Sequence, residues 1–597
     1  MRPRLLAVAL FLAVAVALPA AAAPRNVLLF VADGLRYVSV TPRSAPTLWR
    51  VKKKGVDFTN SHSLYPTITT VNAAAIATGH YVGDTGDFGN QMLTNFSAPE
   101  ARNSRTPFLE SDNIIGEMND HYGGNYLNEE SLLAAARKAG FATAVIGKTG
   151  PAAIQDVTAR DGNSTIVIDD SIGTDDSIPV SPQIAAAMKA AGLEPTAPKT
   201  SVPNDDQQKY LLAIASKIVL PKLASSERGF VMVFWSRDPD ASQHGTRDSV
   251  GKLSPGINGP SGTAGIRDAS DSLQVLLDTL KSLGLNKTTD VFVTADHGFS
   301  TIWRKSKTSK AIPYVPKDGD AVPPSPDGEE LPPGFVAVDI ADALKMPLYD
   351  TGTLKQVDYQ KGERPYAGNG FIGYDPNAPD VAVVSNGGSD FIYLLKDNAK
   401  ALATQITSTL MNEDYVSGIF VNDTLGDIAG TLPMSAVNLM GSAVTTPPSI
   451  IVGFRSFVIP GCAPVLMCAA EVADTSLQSG QGMHGSFSRS DTRNFMAAIG
   501  PDFKKRFADG APVSNADINP TLAHILGLSI QPKGRLQGRV ATEAVKGGKP
   551  AVITRGWRAS RPGPKGLRTV LNYQRVGGTR YFDAAGFPGR TVGLSVH

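Results

Sequence analysis

Four short segments carry residue types that could hold a metal ion. Asp33 follows an apolar run in Ala32-Asp33-Gly34. Asp240 and His244 stand four apart in Pro239-Asp240-Ala241-Ser242-Gln243-His244-Gly245. Asp296 and His297 are adjacent in Ala295-Asp296-His297-Gly298, and His484 sits in Gly482-Met483-His484-Gly485. A spacing of four puts Asp240 and His244 on one face of a helical turn, able to share one cation. A carboxylate and an imidazole at the end of an apolar strand would cost several kcal/mol to bury unpaired, so Asp296-His297 reads better as a ligand pair than as packing. Asp33-Gly34 alone is a turn dipeptide, and a lone histidine in a glycine-rich loop means little. Three of the eight histidines fall in these contexts, however, while His62, His80, His121, His524 and His597 do not.

A fifth segment offers a hydroxyl. Tyr65-Pro66-Thr67-Ile68-Thr69-Thr70-Val71-Asn72 precedes a run of small residues at 73–78 that Gly79 closes. A hydroxyl at a helix N-terminus lies where backbone N–H groups and the helix dipole favour an anion; a plain Thr N-cap is the alternative. Three Asp, three His and one Thr suit two divalent ions with mixed N and O ligands, most naturally zinc. A threonine hydroxyl is a poor nucleophile unless a metal lowers its pKa, and two ions about 4 Å apart suit in-line phosphoryl transfer.

These residues need a scaffold that gathers loops from distant parts of the chain. Apolar runs at 26–32, 142–146, 229–235 and 290–294 read as buried parallel strands, alternating with helical patterns such as 129–139 and 269–283. The expected fold is α/β: a mostly parallel central sheet with helices on both faces, whose ligands bind beyond the carboxyl ends of the strands. Residues 312–370, rich in Pro and Gly, read as an irregular excursion. A hairpin at 380–395 turning at Asn386-Gly387-Gly388, a helix at 398–411 and a strand at 417–421 follow. The expected organisation is a catalytic domain over 23–311 and 449–530, a small α+β cap inserted at 312–448, and a β-rich basic extension at 531–597.

Composition sets further bounds. With 597 residues, 42% hydrophobic and 19% charged, the chain is globular rather than disordered. Arg2 and Arg4 precede an apolar run at 5–18 and small residues at 20–23, the pattern of a secretory signal cleaved after Ala22. That run is too short for a membrane anchor, so a periplasmic or secreted protein without a transmembrane anchor is expected. Beyond it the net charge is zero, which gives no global attraction to nucleic acid. From Lys533 to His597, though, 13 Lys or Arg face two acids, read as a solvated basic face. Cys462 and Cys468, the only cysteines, are expected to close a short disulfide loop.

Taken in order, VADG, YPTITTVN with ATGHY, PDASQHG, TADHG and GMHGSFSRSD, followed by NFMAAIGPDF and NADINPTLAHILGL, resemble the alkaline phosphatase superfamily. Within it, the chain is most similar to the type I phosphodiesterase/nucleotide pyrophosphatase branch, from Asn26 to about Leu528. The resemblance implies one zinc held by Asp240, His244 and His484. It implies a second held by Asp33, Asp296 and His297, with Thr69 as the nucleophile toward it and Asn72 hydrogen-bonded to a phosphoryl oxygen. Thr69 is chosen because it stands three before Asn72; Thr67 and Thr70 are the fallbacks. Val71 stands where such enzymes usually have Pro, and Asp84-Thr85-Gly86 where they usually have Ser-His-Gly, which bears on the substrate rather than on the metal ligands. The substrate is expected to be a small phosphoester. Lys148 and Arg237 are the candidates for a monoester phosphate clamp, and Tyr65, Phe234 and Trp235 for a diester groove. Diester or pyrophosphate hydrolysis is favoured, with an alkaline phosphatase-type monoesterase or a zinc-stabilised binding protein as alternatives.

Overall fold

The computed structural model describes residues 25–312, 330–366 and 368–595. The expected signal segment at 1–22 lies outside the described residues. Eight strands form the central sheet: β1 (Asn26–Ala32), β2 (Val56–Phe58), β3 (Ala142–Gly147), β4 (Ile166–Asp169), β5 (Phe230–Ser236), β6 (Thr289–Thr294), β7 (Met496–Ile499) and β8 (Phe507–Asp509). Their spatial order is β8-β2-β7-β6-β1-β5-β3-β4. The run β6-β1-β5-β3-β4 is wholly parallel, and β7 is antiparallel to both of its neighbours.

Every residue of β1 and β5 is buried, which is why these segments show no polar alternation. Val27, Leu29 and Val31 enter one apolar core with the helices Thr69–Thr78 and Ile518–Leu526. Leu28, Phe30 and Ala32 enter another with the helix Pro260–Ser282. The α/β expectation therefore holds, with helices on both faces.

A second eight-stranded, mostly antiparallel sheet runs 356–357, 348–350, 370–372, 381–386, 389–394, 450–454, 416–421, 432–433. Its hairpin Val381–Asn386 and Ser389–Leu394 turns where expected, with Asn386 opposite Ser389 and Gly387 at φ +71°. Two expectations fail here. The stretch expected to be irregular contains the helix Phe335–Leu344 and the strand Leu348–Asp350. Ile450–Phe454, at the start of the segment 449–530 expected to belong to the catalytic domain, pairs instead with 389–394 and 416–421. A short, all-apolar strand carries no mark of which sheet it joins.

A four-stranded sheet (Ser456–Val458, Ala469–Glu471, Ser300–Ile302, Gly482–Met483) bridges the layers. The chain ends in an antiparallel three-stranded sheet, Ile553–Ala559, Val570–Val576 and Thr579–Gly586. Cys462 and Cys468 form a disulfide. Among the described residues, no helix is long and apolar enough to cross a membrane.

Candidate metal centre

Strand register explains how remote residues meet. β1 lies between β5 and β6, with Ala32 opposite Ser236 and Val31 opposite Thr294. The carboxyl ends of all three strands are therefore level, and the residues just beyond them converge. The Asp240 N–H donates to the Asp33 carbonyl (3.0 Å), and the Gly34 N–H donates to Asp296 Oδ1 (3.0 Å). Gly34 has φ +67°, and a Cβ there would lie 2.8 Å from the Phe299 ring. The Asp-Gly dipeptide is thus both the turn and the carrier of a cluster residue. Asp240–His244 forms a single helical turn, as its spacing implies. His484 arrives by a different route: Gly482 and Met483 pair with Thr301 and Ser300, just beyond His297.

In all three imidazoles, one nitrogen is committed to a backbone carbonyl: His244 Nδ1 to Gly482 (2.7 Å), His297 Nδ1 to Gly298 (2.9 Å) and His484 Nδ1 to Thr67 (2.8 Å). Nδ1–H as donor leaves Nε2 as the lone-pair atom in each ring, the arrangement a metal-ligating histidine needs. The carboxylates are divided in the same way. Asp33 Oδ2 accepts from Trp235 Nε1 (2.9 Å) and Lys148 Nζ (3.1 Å), Asp296 Oδ1 accepts from Gly34, and Asp240 Oδ2 lies 3.5 Å from Lys148 Nζ. Their other oxygens, Asp33 Oδ1, Asp240 Oδ1 and Asp296 Oδ2, are buried without a hydrogen-bond partner among the described residues.

Those oxygens face the imidazole Nε2 atoms. Asp240 Oδ1 is 3.2 Å from His244 and 3.7 Å from His484; His297 is 3.2 Å from Asp296 Oδ2 and 3.6 Å from Asp33 Oδ1. Buried acceptors aimed at one another are costly unless cations lie between them. Two groups with mutually close ligand atoms meet here, Asp33, Asp296 and His297, and Asp240, His297 and His484; a third, His80, Asp84 and Glu129, lies apart from these residues. His297 thus joins both groups, and His244 attaches through Asp240. The donor set of imidazole nitrogen and carboxylate oxygen fits zinc.

Electrostatics point the same way. Burial pushes Asp33 up to about 7 against the pull of Lys148, and burial with Asp33 nearby holds Asp296 well above the carboxylate range. Burial drives His297 down to about 3, and burial with His297 and His244 nearby keeps His484 well below its usual value. Burial acts against charge at Asp240 and His244 too, but Lys148 and His244 together keep Asp240 ionised, and Asp240 raises His244.

Thr69 is the first residue of its helix; Ile68 occupies the N-cap and caps nothing with its side chain. The Thr69 hydroxyl lies 3.2 Å from His297 Nε2. Thr67 instead donates to the Ser486 carbonyl (2.8 Å) and Thr70 to Asp87 Oδ1 (2.9 Å). Of the three hydroxyls, Thr69 is the one at the cluster.

Other expected residues sit differently. Asn72 Nδ2 donates to the Leu64 and Ile68 carbonyls, and its Oδ1 accepts from the Leu64 N–H and Asn515 Nδ2. An amide so occupied is a brace, not a phosphoryl donor. Tyr65 is buried, stacked on Phe487 at 3.9 Å and bonded to Ser389, and Phe234 and Trp235 lie in the core. None of the three lines a groove. Lys148 is held by Asp33, Asp240 and Glu110, and Arg237 by Asp170 (2.6 Å).

The structure adds residues the sequence did not flag. Asn90 accepts from the Thr70 N–H (3.1 Å) and donates to Glu110 (3.0 Å), and it lines a cavity of about 410 Å³ beside His484. Ile68, Met483, Phe108 and Tyr366 also line it, the last two 47% and 66% exposed. No sequence pattern marked Gly89-Asn90-Gln91 as more than a turn. Asp84, which departs from the family motif, accepts from Leu536 and Ser442 N–H groups and pairs with His80 (3.0 Å), fastening two later segments to this loop.

The family profile described as type I phosphodiesterase / nucleotide pyrophosphatase matches residues 27–399. Human ectonucleotide pyrophosphatase / phosphodiesterase 5 superposes with a TM-score of 0.51 at 15% identity, covering 87% of this chain and 100% of that one. An inactive murine counterpart in complex with AMP gives a TM-score of 0.50 at 15% identity, with the same coverage. No curated protein sequence matches the chain. With well over half its length matched by that profile, the chain belongs to the type I phosphodiesterase / nucleotide pyrophosphatase family of the alkaline phosphatase superfamily, hydrolases of phosphoester bonds.

Proposed function

We propose that the protein is an exported phosphodiesterase or nucleotide pyrophosphatase acting through Thr69 and two divalent cations, most naturally zinc. The supporting observation is the set of three buried carboxylate oxygens without partners, facing three imidazole Nε2 atoms, with the Thr69 hydroxyl 3.2 Å from one of them. Asp240, His244 and His484 would hold one ion and Asp33, Asp296 and His297 the other. The ions would supply Lewis-acid stabilisation of charge developing on the phosphoryl group.

Thr69 Oγ1 gives up its proton to solvent and forms a bond to phosphorus as the bond to the leaving oxygen breaks, and the electron pair departs with the leaving group, which takes a proton from water. Water then cleaves the phosphothreonine ester and restores the hydroxyl. Asn90, beside Thr70 and lining the cavity, offers its amide to a phosphoryl oxygen. Phe108 and Tyr366 flank the same cavity and present aromatic surface to the second ester substituent, which favours a diester or a nucleotide-like pyrophosphate; AMP binding by the murine relative accords with this. A monoesterase would want a free cation near the phosphate. Lys148 and Arg237 are each committed to carboxylates, which weighs against that reading.

The test compares a p-nitrophenyl phosphate monoester with bis-p-nitrophenyl phosphate after zinc loading. The diester should give the higher kcat/KM, with chelation abolishing and zinc restoring it. A monoester preference would reverse the substrate assignment. Export is checked by N-terminal sequencing of the mature protein, expected to begin at Ala23.

A further inference from the structure

The C-terminal sheet has a charge distribution that the catalytic reading leaves unused. From Val545 to Phe582 the chain has nine Lys or Arg and no acid. One of the nine, Arg561, pairs with Asp427 (2.6 Å). Arg555, Arg558 and Arg575 are exposed. Ile553–Ala559 is an edge strand of this sheet, paired among the described residues with Val570–Val576 alone and open to solvent along most of its length.

Two features of this edge are unfavourable for the isolated protein. Arg575 stands directly opposite Arg580 in the ladder, and like charges directly opposed destabilise a sheet. Arg575 and Arg558 both disfavour the charge on Arg580, in addition to burial. Apolar side chains also lie in solvent along the edge strand, where alternation sets Ile553 and Trp557 on either side of Arg555 on one face: Val552 is 80% exposed, Trp557 50% and Ile553 37%. Cationic residues commonly blunt an edge strand against pairing. That accounts for Arg555 and Arg558, and Arg580 is held by the Ser435 carbonyl (3.1 Å) and Asn438 Oδ1 (2.9 Å), but neither accounts for the exposed Arg575 opposite it or for the exposed aliphatic residues. Cations beside Trp and aliphatic side chains match an anionic lipid surface, where the charges meet phosphate headgroups and the apolar groups enter the interface. An acidic polysaccharide would satisfy the charges but leave Val552 and Ile553 without a partner.

We propose that this edge is a peripheral docking face for an anionic phospholipid bilayer. Docking would hold the enzyme at a membrane surface. The inference is independent of the catalytic chemistry, since the strand carries none of the metal-centre residues.

The experiment is sedimentation of the full mature protein with vesicles of phosphatidylcholine containing 30% phosphatidylglycerol, and with pure phosphatidylcholine. Binding is expected to the anionic vesicles alone and to be released by salt. The triple variant Arg555→Gln/Arg558→Gln/Arg575→Gln should lose about fivefold in partitioning per arginine, about a hundredfold in all. Trp557→Ala should weaken binding while leaving its salt dependence intact. Both variants should hydrolyse a soluble diester at the parent rate, which confirms that they are folded. Absence of binding to anionic vesicles, undiminished binding by the triple variant, or retention on an acidic polysaccharide without vesicle binding would each overturn the proposal.

Discussion

His297 and His484 stack ring on ring, with centroids 3.6 Å apart and planes 18° from parallel, although they come from loops far apart in the chain. Each is pinned through Nδ1 to a backbone carbonyl, so the pair presents two fixed lone pairs to the carboxylates. Burial keeps both rings neutral, and His297 further disfavours a proton on His484. The fold thus holds these two imidazoles in the protonation state that metal ligation would require.

The first prediction concerns Thr69. Its hydroxyl is at the cluster while those of Thr67 and Thr70 are committed elsewhere. Thr69→Ala should lower kcat by at least about a thousandfold, the scale seen when a nucleophile is removed and only positioning remains. Metal content, measured by elemental analysis, should be unchanged, because Asp and His supply the other ligands. Thr70→Ala should retain most of the activity. Turnover near the parent level in Thr69→Ala would remove the covalent mechanism.

A second prediction concerns Lys148, which is buried against Asp33 (3.1 Å), Glu110 (3.1 Å) and Asp240 (3.5 Å). It is a charge-balancing residue linking members of both ligand groups. Removing one partner from a buried ionic cluster costs about 3–5 kcal/mol. Lys148→Met should therefore destabilise the metal-free protein by that order in urea unfolding. Zinc should recover more stability in the variant than in the parent, because the uncompensated carboxylates then gain more from a cation. Equal zinc stabilisation in the two proteins would show that Lys148 does not share the carboxylates with the metal.

The residues of the candidate cluster were legible because each is a costly residue type at the end of an apolar strand or in a tight glycine loop, where packing offers no reason for it. The parallel strands were legible for a related reason: doubly buried strands are unbroken apolar runs. What was hidden was direction and partnership. Tyr65 and Trp235 have the composition of a binding groove, but whether an aromatic ring faces a cavity or a core depends on neighbours such as Phe487 that arrive from far along the chain. Ile450–Phe454 could not be assigned to a sheet because the choice rests on long-range pairing. The cavity wall combines Phe108 with Tyr366 from far later in the chain, a juxtaposition without any local signal.

The two asparagines give a third prediction, with opposite readouts. Asn72 ties Leu64, Ile68 and Asn515 together by four buried hydrogen bonds. Asn72→Ala should cost about 3 kcal/mol of stability, since several backbone groups lose their partner. Asn90 lines the cavity, and Asn90→Ala should lower kcat/KM by about 100–1000-fold, as loss of a transition-state donor does, with a smaller effect on stability. Thermal unfolding and steady-state kinetics on both variants separate these roles. A stable Asn72 variant with strongly reduced turnover would return the phosphoryl contact to Asn72.

Asp87 supplies a prediction about pH. It is buried behind the Thr69 helix, accepts from the Thr70 hydroxyl (2.9 Å), and burial pushes it up to about 7 from 3.8. Between those two values the folded protein binds a proton at this site that the unfolded chain has released. Stability from this group therefore falls as pH rises from about 4 to about 7 and is level above that. At neutral pH the penalty is up to about 4 kcal/mol, since each tenfold change in proton affinity is worth about 1.4 kcal/mol. Asp87→Asn keeps the neutral shape and removes the titration, so it should be more stable than the parent at pH 8 by an amount that shrinks toward zero near pH 4. Urea unfolding of both proteins at pH 4.5, 6 and 8 measures the difference directly and cancels the other buried acids, which are common to both. A difference that does not change with pH would mean that Asp87 is ionised in the folded protein and that its hydrogen bond to Thr70 outweighs the cost of burial.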